Sequence, residues 1–264
     1  MASPEQAPLA VGIAGLGNIG TEVARWLAGS APRSLELAAV AGRDPGAIAA
    51  RLSSLGIQAP ATALDALAGR CDVLVDCLAP EATAGLLETC IDSGRTIVEI
   101  NVGVLLQEPQ WMERARCAGT RLLVPSGAVA GVDALRAASM GRIDSVRIRS
   151  SKPPAGLDAL DATEARRMFA GTAREAVAAW PRNMNIAATL ALAGIGGDRT
   201  EVEIWSDPAL ERNVHEVEID SDSTRLRIRI ENRPSASNPR SSAITAYSVC
   251  ATLAGIVDPV RIGT

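Results

Sequence analysis

The sequence predicts an α/β fold: a Rossmann-type, doubly wound parallel sheet, followed by a second α+β domain that carries a mainly antiparallel sheet. Three observations support this prediction. A glycine-rich turn joins the first apolar strand to the first helix, strand-like and helical segments alternate through the first half, and closely spaced strands fill the second half. We expect a dinucleotide-binding domain over residues 1–125 and a substrate domain over 126–240. A C-terminal helix within 241–264 is expected to pack back on the first domain.

The glycine-rich turn is the most informative segment. The apolar run Leu9–Ala14 leads directly into Gly15-x-Gly17-x-x-Gly20. Gly15 permits a tight turn, Gly17 leaves bare backbone for a pyrophosphate, and Gly20 lets the helix pack closely on the strand. The alternative is an ordinary turn, but the preceding strand and the amphipathic helix that follows favour a dinucleotide site. The predicted cofactor-binding residues at this turn are Gly15, Gly17, Asn18, Ile19 and Gly20.

The end of the second strand indicates which cofactor binds. An acidic residue there holds the ribose hydroxyls of NAD, but the run Leu35–Ala41 ends in Gly42-Arg43-Asp44. The guanidinium of Arg43 suits a 2′-phosphate through bidentate hydrogen bonds. The alternative is that Arg43 is simply solvated and that Asp44 caps a helix beginning near Pro45. We therefore expect NADP or NAD as the cofactor, and favour NADP.

The first half alternates between the two kinds of element. Its strand candidates are Leu9–Ala14, Leu35–Ala41, Val73–Cys77, Thr96–Ile100 and Arg121–Val124. Its helix candidates are Ile19–Ala28, Pro45–Ser54, Glu81–Ser93 and Leu105–Cys117. This βα alternation predicts a parallel sheet with helices on its faces.

The pattern changes near Ser126. Helices are predicted over Val132–Met140, after a capping box at Thr172-Ala-Arg-Glu175, over Asn183–Ala193 and over Ala243–Ala254. Strands are predicted over Asp144–Arg149, Val202–Trp205, Val214–Ile219 and Arg225–Ile230. The last strands alternate between apolar and polar residues, which is typical of an antiparallel sheet covered on one face.

Composition excludes several classes of protein. The 264 residues carry a formal charge of −4, so a nucleic-acid or anionic-membrane partner is not expected. No apolar run approaches the ~18 to 20 residues of a membrane span, and the first residues lack a signal-peptide pattern. The 5 cysteines are odd in number and form no CxxC pair, so we expect reduced thiols, no metal site and a cytoplasmic protein.

Acid–base chemistry has few candidates, because Lys152 is the only lysine and His215 the only histidine. Any proton transfer that depends on a histidine must therefore use His215, whose side-chain type titrates near neutrality. The alternative is a surface or purely structural histidine. Lys152 offers a compact ammonium for a substrate carboxylate, although a loop lysine is more often solvated.

Other polar positions are candidate binding residues. Asn185 lies early in an apolar helix, where it either satisfies the helix start or contacts a nicotinamide carboxamide. Ser126-Gly127-Ala128 joins a strand to a helix, as ligand-binding turns of α/β sheets do. Asn238, Ser241 and Ser242 precede the last helix and are candidates for a carboxylate site, with Ser241 as a simple helix cap the equal alternative.

Several segments together resemble the L-aspartate dehydrogenase family. In order, they are Pro125-Ser-Gly-Ala-Val-Ala-Gly131, Lys152-Pro-Pro154, Phe169-Ala-Gly-Thr-Ala-Arg-Glu-Ala176, Asn183-Met-Asn-Ile-Ala-Ala188, Asn213-Val-His-Glu216 and Asn238-Pro-Arg-Ser-Ser242. The resemblance extends from the glycine turn almost to the C-terminus. The segment at Asn238 departs mildly from the family's more usual Asn-Pro-Lys-Thr-Ser.

The resemblance implies an NAD(P)-dependent enzyme that interconverts L-aspartate and iminosuccinate or oxaloacetate, with ammonia. It implies that His215 is the catalytic histidine and that Ala128 and Asn185 contact the nicotinamide. It further implies a homodimer, linked in many bacteria to NAD biosynthesis. Two alternatives stay open: a reductase of another oxo or imino dicarboxylic acid, and a non-catalytic nucleotide sensor. An acid–base histidine argues against the sensor.

Overall fold

The computed structural model describes residues 7–157, 163–235 and 238–263. The chain forms two compact units. The first unit comprises Met1–Asn101, Pro109–Pro125 and Ala246–Arg261, and the second comprises Val102–Glu108, Ser126–Thr245 and Ile262–Thr264. The short segment after Asn101 therefore belongs to the second unit, although it precedes the boundary expected near residue 125.

The strands and helices are numbered in chain order. The strands are β1 Leu9–Ala14, β2 Leu35–Ala41, β3 Ala61–Thr62, β4 Val73–Asp76, β5 Thr96–Glu99, β6 Leu122–Leu123, β7 Ile143–Lys152, β8 Arg166–Thr172, β9 Thr200–Ser206, β10 Asn213–Ser221, β11 Arg225–Asn232, β12 Pro234–Ser235 and β13 Asn238–Ser242. The α-helices are α1 Asn18–Gly29, α2 Pro45–Ser54, α3 Leu64–Leu67, α4 Pro80–Asp92, α5 Val102–Gln107, α6 Gln110–Ala118, α7 Val132–Ala138, α8 Ala173–Ala179, α9 Asn185–Ala193 and α10 Ile244–Val257.

The first unit contains a parallel sheet in the order β3-β2-β1-β4-β5-β6. Its central strands are buried on both faces, which explains their continuous apolar sequences. Aliphatic side chains such as Ile13, Val23 and Val75 form the core, and Val249 and Leu253 of α10 pack into it. The predicted doubly wound sheet is confirmed, and its order reverses direction at β1, where such folds bind nucleotides.

The second unit contains a mixed sheet in the order β11-β10-β7-β9-β8. Only the β7–β9 pair is parallel, and the other pairs are antiparallel. One face carries apolar residues such as Ile148, Ile204 and Val217, which pack in one core with Ala176 of α8 and Ala188 of α9. We call this the covered face. The predicted α+β fold with a mainly antiparallel sheet is confirmed.

Two local differences from the sequence prediction have simple causes. The single helix expected over Leu105–Cys117 is two helices, because Pro109 removes a backbone donor between α5 and α6. Strand β8 was not predicted: its sequence, Arg166–Thr172, contains neither an apolar run nor strict alternation. It forms because the edge of β9 supplies an antiparallel partner. Within the part of the chain that is described, no helix is long and apolar enough to cross a membrane.

Candidate active site

The glycine turn of the first unit has the geometry that a dinucleotide requires. Gly15 adopts φ +92°, and a Cβ there would lie 2.6 Å from the carbonyl oxygen of Cys77. A Cβ on Gly20 would lie 2.1 Å from the Gly15 carbonyl oxygen, so helix and strand meet backbone to backbone. A Cβ on Gly17 would meet nothing within 4 Å, so the backbone beside this residue is open. The turn therefore fits a pyrophosphate approaching the chain at Gly17.

Helix α1 supplies the second half of this anion site. Gly17 is its N-cap, no side chain caps it, and no acidic residue lies in its first turn. The N–H groups and the positive end of the helix dipole are thus offered to a ligand. Asn18 and Ile19, both predicted cofactor-binding residues, form the first two helical positions, one residue earlier than the predicted start at Ile19.

The predicted ribose-binding corner lies at the end of β2. Arg43 is exposed there. Asp44 is the N-cap of α2, because its carboxylate accepts hydrogen bonds from the Gly46 N–H at 2.8 Å and the Ala47 N–H at 3.1 Å. The Asp44 carboxylate is therefore occupied by the N–H groups of α2. The exposed guanidinium of Arg43 can contact a ligand at this corner.

A buried polar cluster, which sequence reasoning missed, lies at the carboxyl ends of β4 and β5. Asp76 and Glu99 are paired in register and are both fully buried. The Asp76 carboxylate accepts hydrogen bonds from the Leu78 N–H and the Thr83 hydroxyl, and the Asn101 N–H donates to Glu99 Oε1 at 2.6 Å. We call Asp76, Thr83, Glu99 and Asn101 the Asp76 cluster.

The Asp76 cluster holds a proton. Burial, and then the charge of Asp76, hold the pKa of Glu99 well above its usual range, and burial also raises the pKa of Asp76. Glu99 Oε2 is buried and has no hydrogen-bond partner among the described residues, so a second negative charge beside Asp76 would be poorly compensated. Since burial and the neighbouring negative charge both act on Glu99, we place the proton there. The cluster fixes the turn that follows β4 through the Leu78 N–H.

In the second unit, His215 lies on β10 directly opposite Ser150 of β7. Its imidazole is buried, with 2% of the residue exposed, and its Nδ1 lies 2.9 Å from Ser150 Oγ. Burial, and then the charge of Lys152, lower the pKa of His215 to about 3. The imidazole is therefore neutral near pH 7. The protonated form is disfavoured, because no carboxylate of the described residues pairs with the ring.

Lys152 ends β7 and is not a solvated loop residue. It is 5% exposed and lies two residues beyond Ser150, hence on the same covered face. His215 and Lys152 are diagonal neighbours across the β7–β10 pair, a relationship that places residues ~7 to 8 Å apart. Burial alone lowers the pKa of Lys152 to about 8.

Ser206 completes this group. It ends β9 beside Lys152 in the β7–β9 register, is fully buried, and its Oγ has no hydrogen-bond partner among the described residues. A buried hydroxyl without a protein partner is unusual, and it leaves Ser206 able to hydrogen-bond a ligand. We call His215, Ser150, Lys152 and Ser206 the His215 site. No sequence pattern singles out Ser150 or Ser206, because only the strand register brings them to His215 and Lys152.

The remaining predicted residues of the second unit are placed as follows. Asn185 begins α9, and its Oδ1 accepts a hydrogen bond from the Gly103 N–H at 3.1 Å, so part of its amide has a structural role. Ala128 is buried in the turn after β6, and its carbonyl oxygen accepts a hydrogen bond from Asn232 Nδ2 at 3.0 Å.

The Asn238 segment forms a strand. β13 pairs with β12, so Ser241 and Ser242 lie in a short hairpin and not at the first turn of α10. Ser242 is buried. The side chain of Asn238 lies outside the described part of the structure. Ser241 as a cap of the last helix is thus wrong, since α10 begins at Ile244.

Two family models match successive parts of the chain. Residues 15–125 match the family model described as the NAD-binding domain of homoserine dehydrogenase. Residues 133–256 match the family model described as the C-terminal part of aspartate dehydrogenase. L-aspartate dehydrogenase 3 of Bordetella bronchiseptica is 41% identical over 275 residues, which span 100% of both chains. The chain belongs to the L-aspartate dehydrogenase family.

Other members of the family are similar over nearly the whole chain. L-aspartate dehydrogenase of Bradyrhizobium diazoefficiens is 41% identical over 93% of this chain and 90% of its own. The crystal structure of aspartate dehydrogenase from Thermotoga maritima superposes with a TM-score of 0.77 at 26% identity, covering 97% of this chain and 99% of that one. A scyllo-inositol dehydrogenase from Lactobacillus casei shares the fold alone, with a TM-score of 0.57 at 14% identity.

Proposed function

We propose that this chain is an NAD(P)-dependent L-aspartate dehydrogenase. It oxidises L-aspartate to iminosuccinate, which takes up water to give oxaloacetate and ammonia, and it catalyses the reverse reductive amination. One observation carries the proposal: in a chain similar along its length to L-aspartate dehydrogenases, the only histidine and the only lysine are buried together on the covered face. Buried ionisable groups without counter-charges are typical of active sites.

The first unit holds the cofactor in this proposal. The bare backbone at Gly17 and the uncapped start of α1 fit the pyrophosphate, and Arg43 fits a 2′-phosphate. When bound, the cofactor supplies the acceptor for the hydride that leaves C2 of the substrate. Ala128 and Asn185 are proposed nicotinamide contacts on the family resemblance, with the Asn185 Nδ2 group left to donate while Oδ1 holds Gly103.

His215 acts as a neutral base. If Nδ1–H donates to Ser150 Oγ, the lone pair of Nε2 is free to accept a proton from the water that adds to the imine carbon. The low pKa that burial gives His215 keeps the ring in this base form throughout the neutral range. Because the pKa is low, protonated His215 is short-lived and releases its proton to solvent.

The substrate carries two carboxylates, so the site needs positively charged or hydrogen-bond-donating groups that pair with them. The buried amine of Lys152 and the unpartnered hydroxyl of Ser206 are suited to this role within the second unit. Asn238, Ser241 and Ser242 are proposed as further carboxylate contacts on the family resemblance. We also propose a homodimer and a cytoplasmic location on that resemblance, to be tested by light scattering and by fractionation.

The proposed function is tested by substrate preference. Purified protein with NAD+ or NADP+ should oxidise L-aspartate in preference to L-glutamate, L-alanine or L-malate. A pocket built for two carboxylates leaves a buried polar group unpaired when one is missing, and this costs ~1 to 3 kcal/mol, or roughly tenfold to hundredfold in kcat/KM. Faster oxidation of another amino or hydroxy acid contradicts the assignment. Cofactor binding without any turnover indicates a nucleotide sensor.

A further inference from the structure

Lys152 has an unusual environment for a lysine. It ends a central strand on the covered face, it is 5% exposed, and no carboxylate of the described residues pairs with it. The neighbours on that face are the imidazole of His215 and the hydroxyls of Ser150 and Ser206. Such a position destabilises the ammonium and favours the neutral amine.

Few charged groups face this amine from the surrounding elements. On β10 the titratable neighbour is His215, and helix α9 carries no titratable residue. On β8, Arg166 lies opposite Ser206, but it is exposed and donates to Met168 Sδ. Asp207 follows β9, and its carboxylate accepts the Ala209 N–H at 2.9 Å. The protonation of Lys152 is therefore set by burial, and not by an ion pair.

We propose that Lys152 is a catalytic residue, whose neutral amine takes the proton from the substrate ammonium before hydride transfer. This inference rests on the proposed function and assigns to Lys152 more than contact with a carboxylate. An amino acid enters the site as an ammonium, whose nitrogen has no lone pair to form a C=N bond. A base must remove one proton first, and Lys152 is the group on this face with the required chemistry.

The electrons and protons balance in the following way. Lys152 Nζ accepts one proton, the substrate N–H bond breaks, and its electron pair stays on nitrogen. This pair forms the C=N bond while the C2–H pair leaves as hydride to the nicotinamide, so the substrate loses two electrons and NAD(P)+ gains them. Water then adds at C2, giving one proton to His215 and the second to solvent. The Lys152 ammonium returns its proton to the departing nitrogen, which leaves as ammonia.

The acid–base properties of Lys152 suit an exchange of protons with the substrate nitrogen. Burial lowers the pKa of Lys152 to about 8, whereas burial and the charge of Lys152 lower the pKa of His215 to about 3. Groups that exchange protons with the substrate work best when their pKa lies near the working pH. Lys152 satisfies this condition in both directions of the reaction, because its two forms are both populated near neutrality.

Conservative variants separate this role from simple charge pairing. Lys152→Arg keeps the positive charge, but a guanidinium does not lose its proton in proteins. We expect this variant to bind aspartate with a KM within about tenfold of the wild type, while kcat for oxidation falls ~10² to 10⁴-fold. Lys152→Met should lose both aspartate binding and turnover. Arg149→Met removes a positive charge from the opposite, exposed face of the same strand and should retain wild-type kcat.

The pH profile and a direct titration complete the experiment. The wild-type kcat for oxidation should rise with pH to a plateau with a midpoint near 8, and Lys152→Arg should not show this rise. Because Lys152 is the only lysine, protein grown with ¹³C-lysine gives a single lysine side-chain signal. We expect it to titrate near pH 8, well below the value near 10.4 of an exposed lysine.

Each outcome decides the matter. A wild-type protein that does not oxidise aspartate refutes the proposed function together with this inference. An active wild type with an equally active Lys152→Arg variant, or a lysine signal that titrates at 10 or above, refutes the inference alone and leaves Lys152 as a carboxylate contact. An active wild type, a slow Lys152→Arg variant and a midpoint near 8 together support it.

Discussion

Ser150 of β7 and His215 of β10 form a directly opposed pair in which Ser150 Oγ lies 2.9 Å from His215 Nδ1. Both residues are buried. The partner that orients the only histidine is thus a hydroxyl and not a carboxylate. A hydroxyl fixes the ring without stabilising its positive charge, which agrees with a histidine that acts as a neutral base.

Removing the Ser150 hydroxyl should weaken this positioning. We expect Ser150→Ala to lower kcat by up to about tenfold, the usual worth of one neutral hydrogen bond, with little change in cofactor affinity. Ser150→Thr should restore most of the loss. Ser151→Ala is the matched control, because Ser151 is the next residue on β7 and points to the other face.

The tautomer of His215 gives a second readout for the same variant. With one histidine in the chain, a ¹⁵N spectrum shows its two ring nitrogens without overlap. The wild type should carry its proton on Nδ1, and Ser150→Ala should show a mixture of tautomers. A wild-type ring protonated on Nε2 contradicts the base role, because the nitrogen left for water would have no lone pair.

The burial of His215 should make the protein sensitive to acid. Its folded-state pKa of about 3 lies below the unfolded value of 6.5, so between these pH values the unfolded chain binds one more proton than the folded chain. Stability is therefore lost as pH falls, by up to about 2 kcal/mol between pH 6.5 and 5 from this residue. His215→Gln should lose less stability than the wild type over this range in urea unfolding. An equal loss of stability in the wild type and in His215→Gln contradicts a buried, neutral His215.

The Asp76 cluster should have the opposite pH dependence. Burial and the neighbouring carboxylate raise the pKa of Glu99, so its contribution to stability is full at low pH and is lost as pH rises through the raised value. Glu99→Gln keeps the side-chain oxygen that accepts the Asn101 N–H, and it does not titrate. We expect it to gain stability relative to the wild type between pH 5.5 and 8.5. A constant difference across this range shows that Glu99 holds no proton.

Arg43 should decide between the two cofactors. If it binds the 2′-phosphate, Arg43→Ala should weaken NADP+ binding about tenfold to a hundredfold, the worth of hydrogen bonds to a charged group, and leave NAD+ binding nearly unchanged. Arg51→Ala is the control, because Arg51 is an exposed arginine on the nearby helix α2. Calorimetric titration measures the affinity of each variant for NADP+ and for NAD+. An equal loss for the two cofactors, or none for either, shows that Arg43 does not recognise the phosphate.

The sequence predicted what depends on local pattern. The turn at Gly15, Gly17 and Gly20 could be predicted from its spacing. The structure shows a close backbone approach at Gly15 and Gly20 and open backbone at Gly17. The capping box at Thr172 and Glu175 is confirmed for the same reason, since its two hydrogen bonds lie within one helical turn. Asp44 as the cap of α2 is also confirmed.

What the sequence did not show depends on register between distant strands. Ser150 and Ser206 are ordinary serines until β7 is paired with β10 and β9, and pairing across 65 residues leaves no local trace. The Asp76 cluster was missed for a related reason. Asp76 and Glu99 each end an apolar strand, and only the parallel β4–β5 register makes them neighbours. Lys152 was expected on a loop because Pro153 follows it, but β7 continues to Lys152.

The most direct test of the central claim is reduction of oxaloacetate with and without ammonia. The account predicts that NADPH or NADH is oxidised rapidly when both oxaloacetate and ammonia are present, and very slowly when ammonia is left out. The reason is that the reducible species is the imine, which forms only with ammonia. Equal rates with and without ammonia contradict the claim, because they identify a hydroxyacid dehydrogenase that reduces the ketone itself.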